Sequence, residues 1–561
     1  MVRNNTIETG VSSKAQRSEV PALTGLRFIA ALSVAVSHGT DQILRLNDVP
    51  FRLTYWLSQS AGFGMVLFFV LSGFVIHYNY RKTVTQGGLE GLGGFIWARF
   101  SRLYPLYFFI LVFDVVLGRK LFEFMSGNSG PFAEVLSALP FDLTLTQTWI
   151  YKTFLDNSLV YVTGINSGLT WSIATEWFFY LAYPLVAFLV IRIQKPAISI
   201  SAAVAWCVLW VTVVIAIFNH QITIDAWAAS RFGPIASVYN GSQDSFFRWL
   251  MYFSPYLRIG EFILGCLVAQ LYLLLQDRKP GPKEQIIGRV LLALSIISIP
   301  VLIYFMISGH WPYIRMLNYN FGLAPSVAII LFCSARYDTF IARVLNTDPI
   351  VALGEASYSI YLTHFVIFVL SSSLFGSTFE ATLPNAIYLS LKFIFLLMLI
   401  LVVSLGLHAY IEVPARRWLR SLWPHGGRRG SRAAVYSVIA APGVTAALLW
   451  MTVASQMAGP GALVTNGLNV LSATYGYNCG VRQGNATSEV ARTCDGKSEC
   501  QYVVDVRKLG DPASGCAKNF VVDYACAPDH ARLSKALPAE AGFGSKMDLS
   551  CPVRARNDGA E

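Results

Sequence analysis

Apolar segments long enough to cross a bilayer recur along the chain and limit the folds that it can adopt. One helical crossing needs about 20 apolar residues. Eleven candidate segments lie at 22–38, 62–80, 100–118, 169–191, 197–218, 249–276, 288–307, 320–335, 350–373, 386–410 and 433–456. Of the 561 residues, 54% are hydrophobic and only 13% are charged, which excludes a soluble protein of this size. The sequence therefore predicts a polytopic α-helical membrane protein with about eleven transmembrane helices.

Basic residues collect in alternate loops, as expected when the N-terminus is cytoplasmic. These loops hold Arg81, Lys82, Arg99 and Arg102, then Arg192 and Lys195, then Arg278, Lys279 and Lys283, then Arg336 and Arg343, and last the arginines between 416 and 432. An odd number of helices then places the C-terminal tail on the extracytoplasmic side. The net charge of +11 follows from this loop bias, so we expect no nucleic-acid partner.

The tail is rich in cysteine. Its cysteines are Cys479, Cys494, Cys500, Cys516, Cys526 and Cys551. An even cluster in a polar region predicts a disulfide framework in an oxidising compartment, with the pairing left open. No Cys-x-x-Cys pair is present, so we expect no metal site. Three other cysteines, Cys207, Cys266 and Cys333, lie singly in apolar segments and are predicted to be buried thiols.

These patterns divide the chain into four parts. We predict a disordered cytoplasmic N-terminus at 1–20, a transmembrane domain at 21–420, a basic cytoplasmic linker with one further helix at 421–460, and an extracytoplasmic domain at 461–561. Long outer loops are expected at 119–168 and 219–248. Loops of this length in a compact bundle are usually functional or disordered.

Ionisable residues within apolar segments are costly unless they are paired or face water, so each is a functional candidate. They are Arg27, His38, Glu176, Arg258, Glu261, His364, His408 and Glu412. Arg258 and Glu261 have the i, i+3 spacing of a structural ion pair. His38 and Glu176 are both placed in the outer half of the bundle by counting from helix ends, so we expect them to meet.

A carboxylate beside a histidine orients the imidazole and makes it more basic, which suits His38 to take a proton from a hydroxyl. The alternative is an unrelated core histidine and a glutamate that only pairs helices. Arg99 and Arg102 also have i, i+3 spacing, at the inner start of a helix. Their side chains either bind a phosphate-bearing ligand or extend into the lipid headgroups.

Six motifs together resemble the membrane acyltransferase-3 family, whose members O-acylate surface sugars. They are Leu23-Thr-Gly-Leu-Arg-Phe-Ile-Ala-Ala-Leu with His38, Phe68-Phe-Val-Leu-Ser-Gly-Phe-Val-Ile, Arg99-Phe-Ser-Arg-Leu-Tyr-Pro, Thr170-Trp-Ser-Ile-Ala-Thr-Glu176 with Phe179 and Tyr180, Arg258-Ile-Gly-Glu-Phe-Ile-Leu-Gly265, and Ser357-Tyr-Ser-Ile-Tyr-Leu-Thr-His364. The resemblance implies an acyl-CoA donor on the cytoplasmic side and an acceptor hydroxyl on the other side.

The resemblance also implies roles for individual residues. Arg99 and Arg102 would lie near the CoA phosphates, and His38 would be the principal catalytic residue, either as a base or as an acyl carrier. From the depths of these residues and the small side chains at Ser72 and Gly73, we also expect that an acyl-pantetheine arm passes close to the backbone there. The supporting intramembrane residues would be Arg27, Trp171, Arg258, Glu261 and His364.

The tail, at about 462–527, resembles the galactose- and rhamnose-binding lectin domain of sea-urchin eggs. The matching stretches are Leu471-Ser-Ala-Thr-Tyr-Gly476, Cys494 and Cys500 around Asp-Gly-Lys-Ser-Glu, and Leu509-Gly-Asp-Pro512 leading through Lys518 to Val522-Asp-Tyr-Ala-Cys526. The resemblance implies a small disulfide-stapled β domain and suggests Tyr475, Asp511 and Lys518 as sugar contacts. The family's Tyr-Gly-Arg reads Tyr-Gly-Tyr at Tyr475–Tyr477, so a cap without lectin activity is the alternative.

The sequence thus predicts an integral-membrane O-acyltransferase of a bacterial cell membrane. It would move an acyl group, expected to be acetyl, from acyl-CoA to a polysaccharide or glycolipid beyond the membrane, with no permanently bound cofactor. Two alternatives from other classes are a transporter or flippase and a membrane-tethered carbohydrate receptor. Intramembrane charges are equally expected in a transporter.

Overall fold

The computed structural model describes residues 20–45, 52–118, 132–153, 158–162, 167–237, 244–307, 317–318, 320–374, 385–423, 468–479, 481, 484–510, 516–526 and 531–551. Within these ranges the first part is helical and the last part is a small β domain. The helix predicted at 433–456 and the N-terminus at 1–19 lie outside the described residues.

Among the described residues, the helical part contains sixteen α-helices of six residues or more, which we label in chain order. They are α1 (Pro21–Gly39), α2 (Arg52–Ser58), α3 (Ser60–Gln86), α4 (Gly88–Phe113), α5 (Phe132–Leu143), α6 (Ser167–Val190), α7 (Pro196–Asn219), α8 (Gln221–Phe232), α9 (Pro255–Leu275), α10 (Pro282–Ile307), α11 (Ala324–Arg336), α12 (Phe340–Leu345), α13 (Asp348–Glu355), α14 (Ser357–Leu374), α15 (Asn385–Leu407) and α16 (Val413–Ser421).

The ten predicted segments that fall in the described ranges all coincide with helices. Eight helical stretches among the described residues are long and apolar enough to cross a membrane, and α13 with α14 forms a further candidate that is bent by 68°. The shorter helix α11 has 13 residues, or about 20 Å, which is less than the hydrocarbon thickness. The chain is therefore an integral, polytopic helical membrane protein.

Helices α1, α3 and α9 form the centre of the bundle, and glycines bring them close together. A Cβ atom on Gly73 of α3 would lie 1.9 Å from the carbonyl oxygen of Phe262 on α9, and one on Gly265 would lie 1.9 Å from that of Val70. The two helices can approach this closely only because neither glycine carries a side chain. Helices α7 and α10 expose most of their apolar surface, so they lie at the periphery and face lipid.

The segment predicted as a long outer loop at 119–168 packs into the bundle in its described part. Thr146, Gln147 and Thr148 are almost fully buried, and Trp149 Nε1 donates to the Ala174 carbonyl at 3.1 Å. The Thr148 hydroxyl lies 3.4 Å from that of Thr175. This segment therefore packs against the first third of α6, and its polar side chains are enclosed within the bundle.

The β domain contains five strands: β1 (Leu468–Tyr475), β2 (Glu499–Asp505), β3 (Phe520–Cys526), β4 (Ala531–Leu537) and β5 (Phe543–Ser550). Antiparallel pairing gives one sheet in the order β1-β3-β4 and a second sheet of β2 and β5. Helix α17 (Thr487–Cys494) packs on β1, and the short α18 (Val506–Leu509) follows β2. The domain core includes the stacked rings of Tyr502 and Phe520.

All six cysteines of the tail form disulfides, as their even number and clustering predict. The pairs are Cys479–Cys516, Cys494–Cys500 and Cys526–Cys551, which decides among the connectivities that the sequence left open. The prediction of buried thiols is confirmed for Cys266 and Cys333, which are free and buried, whereas Cys207 is free but only half-buried.

Candidate active site

A cavity of about 700 Å³ of empty space, measured to its open mouth, lies among α1, α3, α4, α6 and α14. Its polar lining is contributed by Arg27, Ser72, Arg99, Arg102, Ser172, Glu176, Tyr180, Ser357, Tyr358 and Tyr361. Apolar residues of α3, including Phe68, complete the wall. Five of the six sequence motifs thus contribute to one cavity, and only the motif at Arg258–Gly265 does not line it.

Three arginines make one end of this cavity strongly basic, and we call Arg27, Arg99 and Arg102 the arginine end. Arg99 is only 5% exposed; its Nη2 donates to the Tyr80 hydroxyl at 2.6 Å, and its guanidinium carbon lies 4.5 Å from the centre of the Tyr80 ring. The buried Arg99 Nε has no hydrogen-bond partner. Among the described residues none of the three arginines forms an ion pair within 4 Å, so the arginine end is suited to an anion.

Glu176 faces the same cavity. Its Oε1 accepts a hydrogen bond from Ser72 at 2.8 Å and another from the Tyr180 hydroxyl, one turn further along α6. Ser72 and Tyr180 thus fix the orientation of the carboxylate within the cavity wall.

His38 lies at the far end of α1, about 16 Å from Arg27 along the helix. Its Nδ1 is 2.9 Å from Nε2 of His364 on α14, and the two rings are nearly parallel, with an interplanar angle of 16°. The rings of Phe68 and Tyr361 lie between this histidine pair and the cavity: Tyr361 is 5.8 Å from Phe68 and 5.8 Å from His364, measured between ring centres.

The predicted contact between His38 and Glu176 is not formed. Helices α1 and α3 are antiparallel, and the Ser60 hydroxyl donates to the Ser33 carbonyl at 2.8 Å. Ser72, which binds Glu176, lies about 18 Å further along α3, whereas His38 lies beyond Ser33 in the opposite direction. Glu176 is therefore held at the level of Ser72, and the described hydrogen-bond partner of His38 is His364. Counting from helix ends gives the depth of a residue within one helix but not the side chains that the helix meets on its neighbours.

The predicted role of Gly73 also needs correction. Ser72 lines the cavity, but Gly73 points towards α9 and allows the close approach to Phe262. Its small size serves helix packing and leaves no passage for a substrate arm.

Arg258 and Glu261 form the buried ion pair that their spacing predicts, with 2.9 Å between Nη1 and Oε1. The Glu261 oxygen also accepts a hydrogen bond from the Phe321 amide at 3.1 Å. The Arg258 guanidinium lies 4.7 Å from the Tyr252 ring centre and 5.6 Å from that of Trp171. This cluster joins α9 to α6 and stabilises the wall behind the cavity.

Several residues at the site were missed by the sequence reasoning. Tyr180, Tyr358 and Tyr361 belong to the recognised motifs, and the i, i+4 spacing of Glu176 and Tyr180 was the available signal. Arg416 and Arg420 were assigned only to loop charge. Helix α16 packs on α4, where Trp97 Nε1 donates to the Leu419 carbonyl at 2.9 Å, and both arginines interact electrostatically with Arg99 and Arg102.

The suggested sugar contacts in the β domain are buried. Tyr475 is 3% exposed and its ring packs near Phe520. Lys518 is 6% exposed, and its Nζ donates to the Cys516 carbonyl at 2.9 Å. Asp511 lies outside the described residues. The burial of Tyr475 and Lys518 speaks against their direct contact with a sugar.

A family model described as an acyltransferase domain matches residues 20–409, which is more than half of the chain and includes every helical motif of the cavity. The chain belongs to the acyltransferase-3 family. The resemblance of the helical part is thus confirmed, and the chain is an acyl-transferring membrane enzyme. The lectin-like character of the tail remains a prediction.

Two relatives illustrate the range of this acyltransferase family. The acyltransferase MdmB of Streptomyces mycarofaciens is 26% identical over 365 residues, covering 64% of this chain and 81% of its own length. The O-acetyltransferase OatA of Staphylococcus aureus is 24% identical over 410 residues, covering 71% of this chain and 57% of its own length. The chain thus matches little more than half of OatA. No solved structure matches the chain.

Proposed function

We propose that this acyltransferase moves an acetyl group from acetyl-CoA to a hydroxyl of a polysaccharide or glycolipid on the extracytoplasmic side of the membrane. The observation that carries the proposal is the cavity, which has arginines without ion-pair partners at one end and leads towards a histidine pair, of which His364 is fully buried and His38 half-buried. The family and the relatives named as acyltransferases favour this function over a transporter or a carbohydrate receptor.

The arginine end would hold the phosphates of CoA on the cytoplasmic side. Arginine forks match phosphate oxygens, and the free Arg99 Nε is a buried donor without a partner. Arg416 and Arg420 add positive charge beside Arg99 and Arg102. These five guanidinium groups repel one another, so a bound polyphosphate would stabilise the arrangement.

The thioester would extend from the arginine end along α3 towards the histidine pair. The Phe68 and Tyr361 side chains would have to move aside for the acetyl carbon to reach His38. The acceptor hydroxyl loses its proton to His38 as its oxygen attacks the thioester carbonyl, the C–S bond breaks, and the thiolate leaves with CoA. If His38 instead carries the acetyl group, its nitrogen makes the first attack and the hydroxyl the second.

The β domain would lie on the acceptor side. Its three disulfides require an oxidising compartment. With the N-terminus in the cytoplasm, the tail would then reach the glycan and position it near the outer end of α1. A surface of the domain other than Tyr475 and Lys518 would contact the acceptor.

The catalytic assignment is tested by His38→Ala in the purified full chain. Transfer of labelled acetyl from acetyl-CoA to surface glycan should fall on the order of 100-fold to 10,000-fold, the range for loss of a general base. Binding of CoA should be unchanged because the arginine end is intact. His220→Ala is the matched control, since His220 is exposed at the end of α7. Wild-type transfer by His38→Ala would refute the role of His38.

A further inference from the structure

The hydrogen bonds of the histidine pair determine where its protons lie. His364 Nδ1 is 3.2 Å from the carbonyl oxygen of Ile360, one turn earlier on α14. A carbonyl oxygen can only accept, so Nδ1 of His364 carries a proton. In a neutral imidazole the other nitrogen is then an acceptor, and His364 Nε2 presents its lone pair to Nδ1 of His38, 2.9 Å away.

We propose that His364 is a positioning residue that holds His38 as the Nδ1–H tautomer, so that Nε2 of His38 is its reactive atom. This inference rests on the proposed function of His38. The chain of donors runs from His38 Nδ1–H to His364 Nε2 and from His364 Nδ1–H to the backbone. The backbone of α14 thereby fixes which nitrogen of His38 meets the substrate.

The apolar surroundings of His364 explain why a neutral imidazole, and not a carboxylate, accepts the hydrogen bond from His38. His364 is fully buried, and its neighbours are the rings of Tyr361 at 5.8 Å and Phe368 at 6.5 Å. The ring of Phe365 meets that of His38 edge-on at 5.7 Å. A carboxylate in this apolar enclosure would carry a large desolvation cost, whereas a second imidazole orients His38 without adding charge.

Two substitutions separate orientation from packing. His364→Leu fills most of the volume but offers no acceptor, so kcat should fall about 100-fold while KM for acetyl-CoA stays within about two-fold. His364→Gln supplies an amide oxygen that can accept from His38 Nδ1, and it should recover at least about one tenth of the wild-type kcat. If His364 had only a structural role, the His364→Gln and His364→Leu variants would not differ in kcat in this way.

His77→Leu is the matched control for removal of a buried histidine. His77 hydrogen-bonds to Gln270 at 3.0 Å and to Tyr183 at 3.3 Å, and both partners lie away from the histidine pair. Its loss should lower the thermal stability and leave kcat of the folded fraction within about two-fold of wild type.

The tautomer itself can be observed without any turnover. Nitrogen-15 NMR of histidine-labelled full chain, with the His38 signals assigned by comparison with His38→Ala, should show a protonated Nδ1 and an unprotonated Nε2. His364→Leu should mix the two tautomers. A protonated Nε2 on His38 in the wild type would overturn the inference, as would wild-type kcat in folded His364→Leu. An active His38→Ala would instead refute the proposed function, so the two failures are distinct.

Discussion

Arg416 and Arg417 are adjacent on α16 but differ in their surroundings. The Arg416 guanidinium is half-buried and interacts with Arg102, whereas Arg417 is exposed. Because the proposed donor carries its phosphates at the arginine end, only Arg416 should contribute to donor binding. The neighbouring positions therefore offer a comparison within one helix.

We expect Arg416→Gln to raise the Kd for CoA about 10-fold, which corresponds to the loss of one hydrogen bond to a charged group. Arg417→Gln should leave the Kd unchanged. Turnover of acetyl-pantetheine, which lacks the phosphates, should be the same for both variants. Calorimetric titration of each purified variant with CoA measures the two Kd values. If Arg416→Gln and Arg417→Gln weakened CoA binding equally, the effect would come from a nonspecific loss of positive charge.

At the residue scale, the sequence identified half of the polar groups that line the cavity but not their partners. Arg99, Arg102, Glu176 and Ser72 all line it. The partner of His38 is His364, which is 326 residues away in sequence. Spacing within one helix gives the Arg258–Glu261 pair directly, but the register between two distant helices depends on packing that no local pattern encodes.

The contact between α3 and α9 depends on two glycines at the scale of whole elements. At Gly73 and at Gly265, a backbone carbonyl of the other helix occupies the space that a Cβ atom would need. Cys266 Sγ also donates to the Gly73 carbonyl at 3.4 Å. A methyl group at either position would push the helices apart along their whole contact.

Gly73→Ala should destabilise the bundle by at least about 2 kcal/mol, within the range for overpacking of a tight contact. Gly62→Ala is the control on the same helix, because its nearest neighbour would be 3.8 Å away, at ordinary contact distance. The midpoint of thermal unfolding in detergent is measured for both variants from the loss of the monodisperse peak in size-exclusion chromatography. An unchanged midpoint for Gly73→Ala would show that α3 and α9 can separate without cost.

The elements themselves could be predicted because apolar length is a strong signal. The ten described segments are helical, and α7 and α10 are apolar on all sides, as expected for helices in lipid. The burial of the segment around Thr148 could not be predicted, because it results from contacts with α6 that the composition of the segment does not indicate.

At the scale of the whole molecule, the β domain is held by disulfides that close loops of different length. Cys479–Cys516 spans 37 residues, and Cys494–Cys500 spans 6. In the chain-entropy model a longer loop removes more freedom from the unfolded state, and the difference between these two loops is about 1.6 kcal/mol.

Replacement of Cys479 and Cys516 by serine should therefore weaken the tail more than replacement of Cys494 and Cys500. Protease resistance of the tail in the full chain, measured after stepwise heating, gives the order of stability. The reverse order would show that packing of α17 on β1, and not chain entropy, dominates the contribution of the short disulfide.

The aromatic pair of Phe68 and Tyr361 has a consequence for the cell that carries this enzyme. The cavity, whose empty space of about 700 Å³ includes its open mouth, would give protons part of a path through the bundle. The two rings separate that space from the histidine pair, and imidazoles are efficient proton carriers. In the proposed cycle, the two rings would limit the leakage of protons between rounds of transfer and would shield a bound thioester from hydrolysis.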